Sequence, residues 1–482
     1  MSKYSKNQVV SNFSWRYIGK LGTQIVSFLV TIILARLIAP EAFGAVAIVA
    51  IFTTFLQVFV DSGMGSALIQ KENADETDFS SVFYFNIVVC LILYILLYFS
   101  APYVAKFYDN PQLSSLLRVA SLSLIITGLR STQESYITRN LLFKKHFIAT
   151  TAASLLSAIV AIFMAYMGLE AWAIVGQQLL NTGISTLIIW FLVPWRPHFI
   201  CSLDRLKGLV SYGWKILGAN LVDTIYSELR SLLIGKVYST RDLAFYNQGK
   251  TFPYLIVSGV NSSLNSVLFP VMSRSQNNKD EIKAILRRTI RISVFFIGAV
   301  LSYLFCVAES FVAVLLTAKW LPCVIYLRIL CLDSFFWPII TAHSNTYNAI
   351  GRSGVSLWIM FVTKVVGIIM LIIAIPFGVG WVAITSVLAM VVQTVMVAVM
   401  SKRINTYLFR EQISDLVRAL IPSFLIFLAT WWVQWLSLPE ITVFIIQTFL
   451  AATVFICYGI LSKSEGFSLL LNLISGCFKK NK

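Results

Sequence analysis

The sequence predicts an all-α polytopic membrane protein with about 14 transmembrane helices. Apolar residues make up 58% of its 482 residues and charged residues 12%, against about 25% charged in soluble domains. Apolar runs of roughly 20 residues recur along the whole chain, long enough to cross a ~30 Å hydrocarbon core as helices. The third observation is an internal repeat: the stretch VDSGMGSAL at 60–68 is similar to VNSSLNSVL at 260–268.

The apolar runs divide the chain into fourteen predicted spans, each expected to be a helix. They cover residues 14–36, 43–68, 81–105, 114–138, 147–168, 171–193, 208–235, 243–270, 287–308, 321–348, 355–376, 379–401, 415–436 and 440–461. The end segment 465–478 is too short to span comfortably and is predicted as an interfacial helix.

The internal repeat extends beyond nine residues. The stretch WRYIG at 15–19 is similar to WKILG at 214–218, and ARLIAPEAFGA at 35–45 is similar to GKVYSTRDLAF at 235–245. One offset of about 200 residues covers six spans, an even number, so both copies enter the membrane in the same direction. We therefore predict two parallel-repeat six-helix lobes, 1–200 and 201–405, facing a central cavity. Residues 406–482 add two helices and the interfacial segment.

The basic residues predict the orientation. Of the 38 Lys and Arg residues, only five fall in one set of alternate loops: Arg36, Lys106, Lys236, Arg241 and Lys319. Most of the others lie in or near the opposite set, which the positive-inside rule assigns to the cytoplasm. Both termini are therefore expected to be cytoplasmic. The net charge of +17 is explained by topology and by contact with membrane lipids, so no nucleic-acid partner is predicted.

The sequence gives little support for an enzyme, a nucleotide-binding protein or a metal-binding protein. No loop exceeds about 20 residues, which leaves no room for a soluble catalytic domain. AFYNQGKT at 244–251 lacks the first glycine of a phosphate-binding loop and opens a membrane helix with no strand before it. The seven cysteines show no CxxC and no His partner at ligand spacing. We predict no catalytic residue, cofactor or metal site.

Polar stripes on several spans predict a hydrophilic cavity, because charge inside a membrane needs a partner or water. Projection at 100° per residue places the cations of these stripes on cavity-facing surfaces, where they suit an anionic cargo. The candidate substrate-binding cations are Arg16, Lys20, Arg130, Lys215, Arg230 and Lys250. The candidate acids for ion coupling are Asp61, Glu134, Asp223 and Asp333.

Structural alternatives remain open for these residues. Arg130 and Glu134, at positions i and i+4, also suit a simple salt bridge. Asp61, before a Ser-Gly turn, also suits a backbone cap. Arg16 and Lys20 lie near the inner surface, where long cationic side chains reach headgroups.

Four stretches resemble the polysaccharide-transporter family of lipid-linked oligosaccharide flippases: LARLIAPEAFG at 34–44, FVDSGMGSALIQ at 59–70, YITRNLLFKK at 136–145 and NTYNAIGR at 345–352. The superfamily also holds multidrug extruders and lipid II flippases. Within the family the chain is similar to the colanic-acid and teichuronic-acid exporters.

The resemblance implies a transporter of the bacterial inner membrane that moves an undecaprenyl-pyrophosphate-linked oligosaccharide repeat to the periplasmic leaflet by alternating access. A polysaccharide polymerase and export machinery are implied as further partners. Two alternatives are a cation-coupled drug extruder, which would favour acids over cations in its cavity, and a membrane-embedded sugar transferase or polymerase. The second alternative would need a large outside loop with catalytic acids, and the sequence has none.

Overall fold

The computed structural model describes residues 6–60, 64–462 and 466–468. Every regular element in these ranges is helical, which confirms the predicted all-α class. The first helices are α1 (Lys6–Leu37), α2 (Pro40–Val60), α3 (Met64–Gln70), α4 (Glu76–Phe107), α5 (Gln112–Ala120), α6 (Leu122–Arg139), α7 (Phe143–Tyr166), α8 (Ala171–Leu192) and α9 (Leu203–Val237). They are followed by α10 (Thr240–Arg274), α11 (Lys279–Leu315), α12 (Val324–Phe335), α13 (Trp337–Ala349), α14 (Ser353–Ala374), α15 (Val379–Asn405), α16 (Phe409–Thr430) and α17 (Glu440–Ser462).

Thirteen stretches of the described chain are helical, long and apolar enough to cross a bilayer, and they coincide with thirteen predicted spans. The exception is span 208–235. The chain there forms α9, but Lys215, Asp223, Glu228 and Arg230 make it too polar for the same criterion. The count of fourteen therefore stays a prediction. The predicted interfacial segment 465–478 lies outside the described residues except for 466–468.

Span 43–68 contains α2 and α3, on either side of residues 61–63, which are outside the described set. Two further predicted spans are divided into consecutive helices. Span 114–138 forms α5 and α6, which meet at the buried Ser121, whose hydroxyl donates a 2.8 Å hydrogen bond to the carbonyl of Arg118. Hydroxyls that bond back to their own helix are associated with bends. Span 321–348 contains the 3₁₀ segment Ala318–Cys323 followed by α12 and α13, with Pro338 in the first turn of α13. Proline is favoured there because the first N–H groups of a helix lack intrahelical partners.

The order of helices repeats along the chain. A long helix pair, a long third helix, a divided fourth span and two further helices occur first as α1 to α8 and again as α9 to α15. Contacts divide the chain into two compact units, 1–244 and 245–482. Within the first unit α9 packs against α2, α3 and α4. The predicted lobe boundary at residue 200 and the arrangement of the lobes stay predictions.

In the first unit, the segment after α8 is fixed to the start of α4. The indole N–H of the buried Trp195 donates to Glu76 Oε2 at 2.8 Å, and Arg205 Nη1 lies 2.5 Å from Asp75 Oδ2. Asp78, fully buried, pairs with Lys71 at 2.6 Å. The pKa of the Asp75 carboxyl is held below its usual range. The main cause is the hydrogen bond that it accepts from the backbone N–H of Asp78, and the second is the hydrogen bond from the Arg205 guanidinium.

We call this arrangement the first anchor. It comprises Lys71, Asp75, Glu76, Asp78, Trp195 and Arg205. On its outer side Phe199 is 99% exposed and Leu203 is 72% exposed. The anchor fixes one side of the 193–203 segment while these two apolar side chains remain exposed.

A second anchor joins the segment after α15 to the start of α11 in the second unit. Lys283 Nζ lies 2.8 Å from Glu411 Oε2, and Arg287 Nε lies 2.7 Å from Asp415 Oδ2. The buried Tyr407 donates its hydroxyl to the same Asp415 oxygen at 2.7 Å. Helix α16 is thus fixed to α11 by charge as well as by packing. Helix α17 also packs against α11, and the Ser310 hydroxyl donates a 3.0 Å hydrogen bond to Gln447 Oε1.

Candidate functional site

A cavity of about 400 Å³ lies within the first unit, among α1, α6 and α7. This volume is in the range of small-molecule sites, about 300–1,000 Å³. Its polar lining includes Lys20 and Thr23 from α1, Glu134 and Thr138 from α6, and His146 from α7. Lys20 with Thr23 and Glu134 with Thr138 are three and four residues apart, so each pair shares one face of its helix.

The charged part of the cavity is centred on Glu134. Its Oε1 lies 2.9 Å from Arg130 Nε and 3.8 Å from His146 Nε2. The carboxylate side chain is 36% exposed and the Arg130 side chain 19% exposed. Arg130 also donates from Nη1 to Ser185 Oγ on α8 at 2.5 Å. The arginine is therefore held from two sides, by its own helix and by a neighbour.

One wall of the cavity is aromatic. Trp15 and Phe147 lie with ring centroids 5.2 Å apart, and Lys144 Nζ lies 5.7 Å from the Trp15 ring centroid. Aromatic faces, hydroxyls and cations around one space suit a ligand that has both apolar surface and anionic oxygens.

The structure brings three predicted residues together here: Lys20, Arg130 and Glu134. The pairing of Arg130 with Glu134 agrees with the salt-bridge alternative, and Glu134 additionally faces the cavity. His146 is a site residue that no pattern in the sequence indicated. It lies twelve residues after Glu134 on a different helix, so no periodicity connects the two.

The remaining candidates of the first unit lie on α1, α9 and the α2–α3 junction. Arg230 is 8% exposed, with its guanidinium carbon 5.3 Å from the ring centroid of Tyr226. Asp223 is exposed on the same helix. Arg16 and Lys215 belong to α1 and α9, but their side chains are outside the described set, and Asp61 lies outside the described residues altogether.

Two candidates belong to the second unit, each on a different helix. Lys250 on α10 and Asp333 on α12 are both half-buried. Within the described residues, no group of three or more His, Cys, Asp or Glu side chains is placed to hold a metal ion.

Apolar membrane-spanning helices around a charged cavity are typical of an integral membrane transporter. The chain belongs to the polysaccharide biosynthesis protein family, whose sequence profile matches residues 33–325. The resemblance to the polysaccharide-transporter family stated from the sequence is thereby confirmed.

Two relatives and one solved structure place the chain more closely. It is 23% identical over 350 residues to the succinoglycan biosynthesis transport protein ExoT of Rhizobium meliloti (strain 1021), covering 73% of this chain and 71% of ExoT. It is 24% identical over 356 residues to the teichuronic acid biosynthesis protein TuaB of Bacillus subtilis (strain 168), covering 73% of each.

The fold is that of the lipid II flippase MurJ in its inward closed conformation. The TM-score is 0.74 at 16% sequence identity, over 93% of this chain and 98% of that one. At this identity the likeness establishes the shared fold and leaves the ligand to be argued separately.

Proposed function

We propose that the protein is a flippase that moves an undecaprenyl-pyrophosphate-linked oligosaccharide repeat across the bacterial inner membrane by alternating access. One observation carries the proposal: a chain with relatives named for polysaccharide biosynthesis and transport has the flippase fold over 93% of its length. The polar cavity among α1, α6 and α7 supports it.

The physical problem of this transport is the polar headgroup. Burying an unbonded hydroxyl or amide in hydrocarbon costs roughly 4–8 kcal/mol, so an oligosaccharide needs a hydrophilic route. The prenyl tail, by contrast, gains about 0.8 kcal/mol for each buried CH₂ and remains in the bilayer. The protein therefore has to provide only a path for sugars and phosphates, and its action is transport without bond chemistry.

In this proposal cations along the path hold the pyrophosphate in turn. Lys20 and Arg130 serve the cavity of the first unit, and Arg230 serves a position further along α9. Arg16, Lys215 and Lys250 stay predicted members of the same route. The orientation with both termini in the cytoplasm, and cooperation with a polymerase and export machinery, belong to the proposal as well.

The intramembrane acids are the proposed coupling groups. At least one of Asp61, Glu134, Asp223 and Asp333 is expected to be required for transport driven by an ion gradient. Normal transport by all four neutral variants, each checked for folding, would show that transport is uncoupled from these residues.

The central test is transbilayer movement in proteoliposomes that contain the purified protein and undecaprenyl-pyrophosphate-linked oligosaccharide. The fraction of sugar accessible to an added glycosidase is measured over time. We expect faster loss of the protected fraction than in protein-free liposomes. Equal rates in both would contradict the flippase proposal, and movement of a hydrophobic cation in place of the lipid-linked sugar would favour a drug extruder.

A further inference from the structure

The carboxylate of Glu134 is in an unusual position for a cavity that is proposed to bind an anion. Side chains from two helices approach it, Arg130 from α6 and His146 from α7, and Lys20 of α1 lines the same cavity. Two lysines near this end of α7 make different contacts. Lys144 lies by the Trp15 ring, and Lys145 donates to the carbonyl of Leu192.

We infer that Glu134 occupies, in the empty cavity, the place that a phosphate oxygen of the cargo takes when it binds. The inference rests on the proposed flippase function and adds a role for one residue. Carboxylate and phosphate oxygens are recognised by the same charged donors, and arginine binds both. The cavity, about 400 Å³, has room for a pyrophosphate beside the carboxylate.

Displacement of Glu134 from Arg130 is physically reasonable. The pair is an i,i+4 contact within one helix, and the carboxylate is 36% exposed to the cavity. Such partly exposed pairs are weak. Arg130 itself does not have to move, because the bond to Ser185 on α8 keeps its guanidinium in place when Glu134 leaves. The arginine is therefore preorganised for the incoming anion.

The exchange also provides specificity. An anion that displaces Glu134 has to interact with Arg130 and His146 better than the carboxylate does. A pyrophosphate, with more charge and more oxygens, satisfies this condition better than a monophosphate. Glu134 thus acts as a competing internal anion that excludes weak anionic ligands, which is selection by a repulsive element.

The test measures binding of inorganic pyrophosphate to the purified full-length protein by titration calorimetry, in nanodiscs of phosphatidylcholine. Glu134→Gln is expected to tighten binding about tenfold, equivalent to about 1.4 kcal/mol, and Arg130→Gln to weaken it about tenfold. In the Arg130→Gln background, Glu134→Gln is expected to gain less than about threefold, because the group that it releases is gone. Inorganic monophosphate should bind detectably only when Glu134 is neutral.

A matched control separates this exchange from a general change of charge. Asp204→Asn removes a carboxylate that is 95% exposed, at the start of α9 and outside the cavity lining, and should leave pyrophosphate binding unchanged. Two results would overturn the inference. One is a gain in pyrophosphate affinity from Asp204→Asn equal to that from Glu134→Gln, and the other is a full tenfold gain from Glu134→Gln in the Arg130→Gln background.

Thermal unfolding of each variant shows whether it is folded. Glu134→Asp provides a second probe, because the shorter side chain keeps its charge but reaches Arg130 poorly. An intermediate gain of about threefold is expected, and unchanged affinity in both folded Glu134 variants would overturn the inference.

Phosphate at this site has two sources, the cargo and the headgroups of anionic lipids. In nanodiscs containing phosphatidylglycerol, competition with pyrophosphate in both wild type and Glu134→Gln would assign the site to lipid and overturn the cargo assignment. The flippase proposal is judged separately, by oligosaccharide movement in proteoliposomes. Normal movement by the wild type without the affinity changes would remove the role of Glu134 and leave the transport function standing.

Discussion

Replacing Asp415 with alanine removes the acceptor at the centre of the second anchor. The side chain is 2% exposed, and its two oxygens lie 2.7 Å and 3.1 Å from Arg287 nitrogens. Breaking a buried ion pair by removing one partner costs about 3–5 kcal/mol. Because the Arg287 side chain is 32% exposed and regains hydration, we expect the lower end, about 3 kcal/mol.

The expected shift in melting temperature follows from the size of the second unit. Residues 245–482 are within the range in which 1 kcal/mol shifts Tm by about 2–4 °C. Asp415→Ala should therefore lower the transition of this unit by about 6–12 °C, measured by tryptophan fluorescence of the purified full chain during heating.

Glu411→Gln is the matched control, one turn earlier on the same helix. Its side chain is 29% exposed, and exposed pairs contribute about 0–1 kcal/mol. A Tm shift for Asp415→Ala no larger than that for Glu411→Gln would refute the argument from burial. The double variant Arg287→Met with Asp415→Leu should recover much of the loss, because apolar packing replaces the pair.

Three further predictions concern transport, acid stability and topology. Arg230→Gln should reduce polysaccharide export about tenfold or more, since a charge-assisted hydrogen bond in a partly dry site contributes about 1.5–3 kcal/mol. Arg230→Lys should recover part of the export. Full export by a normally expressed Arg230→Gln variant would exclude Arg230 from the transport route. The pKa of Asp75 is lowered in the folded protein. Its contribution to the free energy of unfolding is therefore complete above the pKa of an unfolded aspartate, about 3.9, and is lost as the pH falls through the folded-state pKa. Asp75→Asn should therefore flatten the acid limb of a Tm-against-pH curve, and an unchanged limb would contradict this. Reporter fusions after 76, 145, 200, 280, 352 and 410 should report cytoplasm and those after 109, 240, 317 and 438 periplasm; opposite sides in the two halves would contradict parallel repeats.

Hydrophobic length was enough to predict the class and most of the helices, because a bilayer requires about 20 apolar residues for each crossing. The same criterion is weak for α9, where Lys215, Asp223, Glu228 and Arg230 interrupt the apolar pattern. The divisions at Ser121 and Phe336 were not predicted. Mean hydropathy over a span does not indicate where one helix ends and the next begins.

The candidate site was predictable only within single helices. Arg130 and Glu134 are four residues apart, so helical geometry brings them together without any tertiary information. The approach of His146 to Glu134 and the bond from Arg130 to Ser185 depend on how α6, α7 and α8 pack. Helical periodicity relates only residues of the same helix, so a single sequence contains no local signal for contacts between different helices.

The two anchors have opposite polarity, and this has a consequence for the assembly of a chain that is predicted to contain two parallel repeats. At the start of α4 the anchoring groups Asp75 and Asp78 are acidic and receive the basic Arg205. At the start of α11 the anchoring groups Lys283 and Arg287 are basic and receive acidic side chains of α16. The sequence predicts that α4 and α11 are equivalent helices of two parallel repeats, and equivalent helices are at risk of accepting each other's partners while the chain is being inserted. Here a wrong partner would bring like charges together, so electrostatic repulsion discourages the exchange. Reversing one anchor, with Asp75→Lys and Asp78→Lys, would remove that distinction and give nascent chains two competing places to dock.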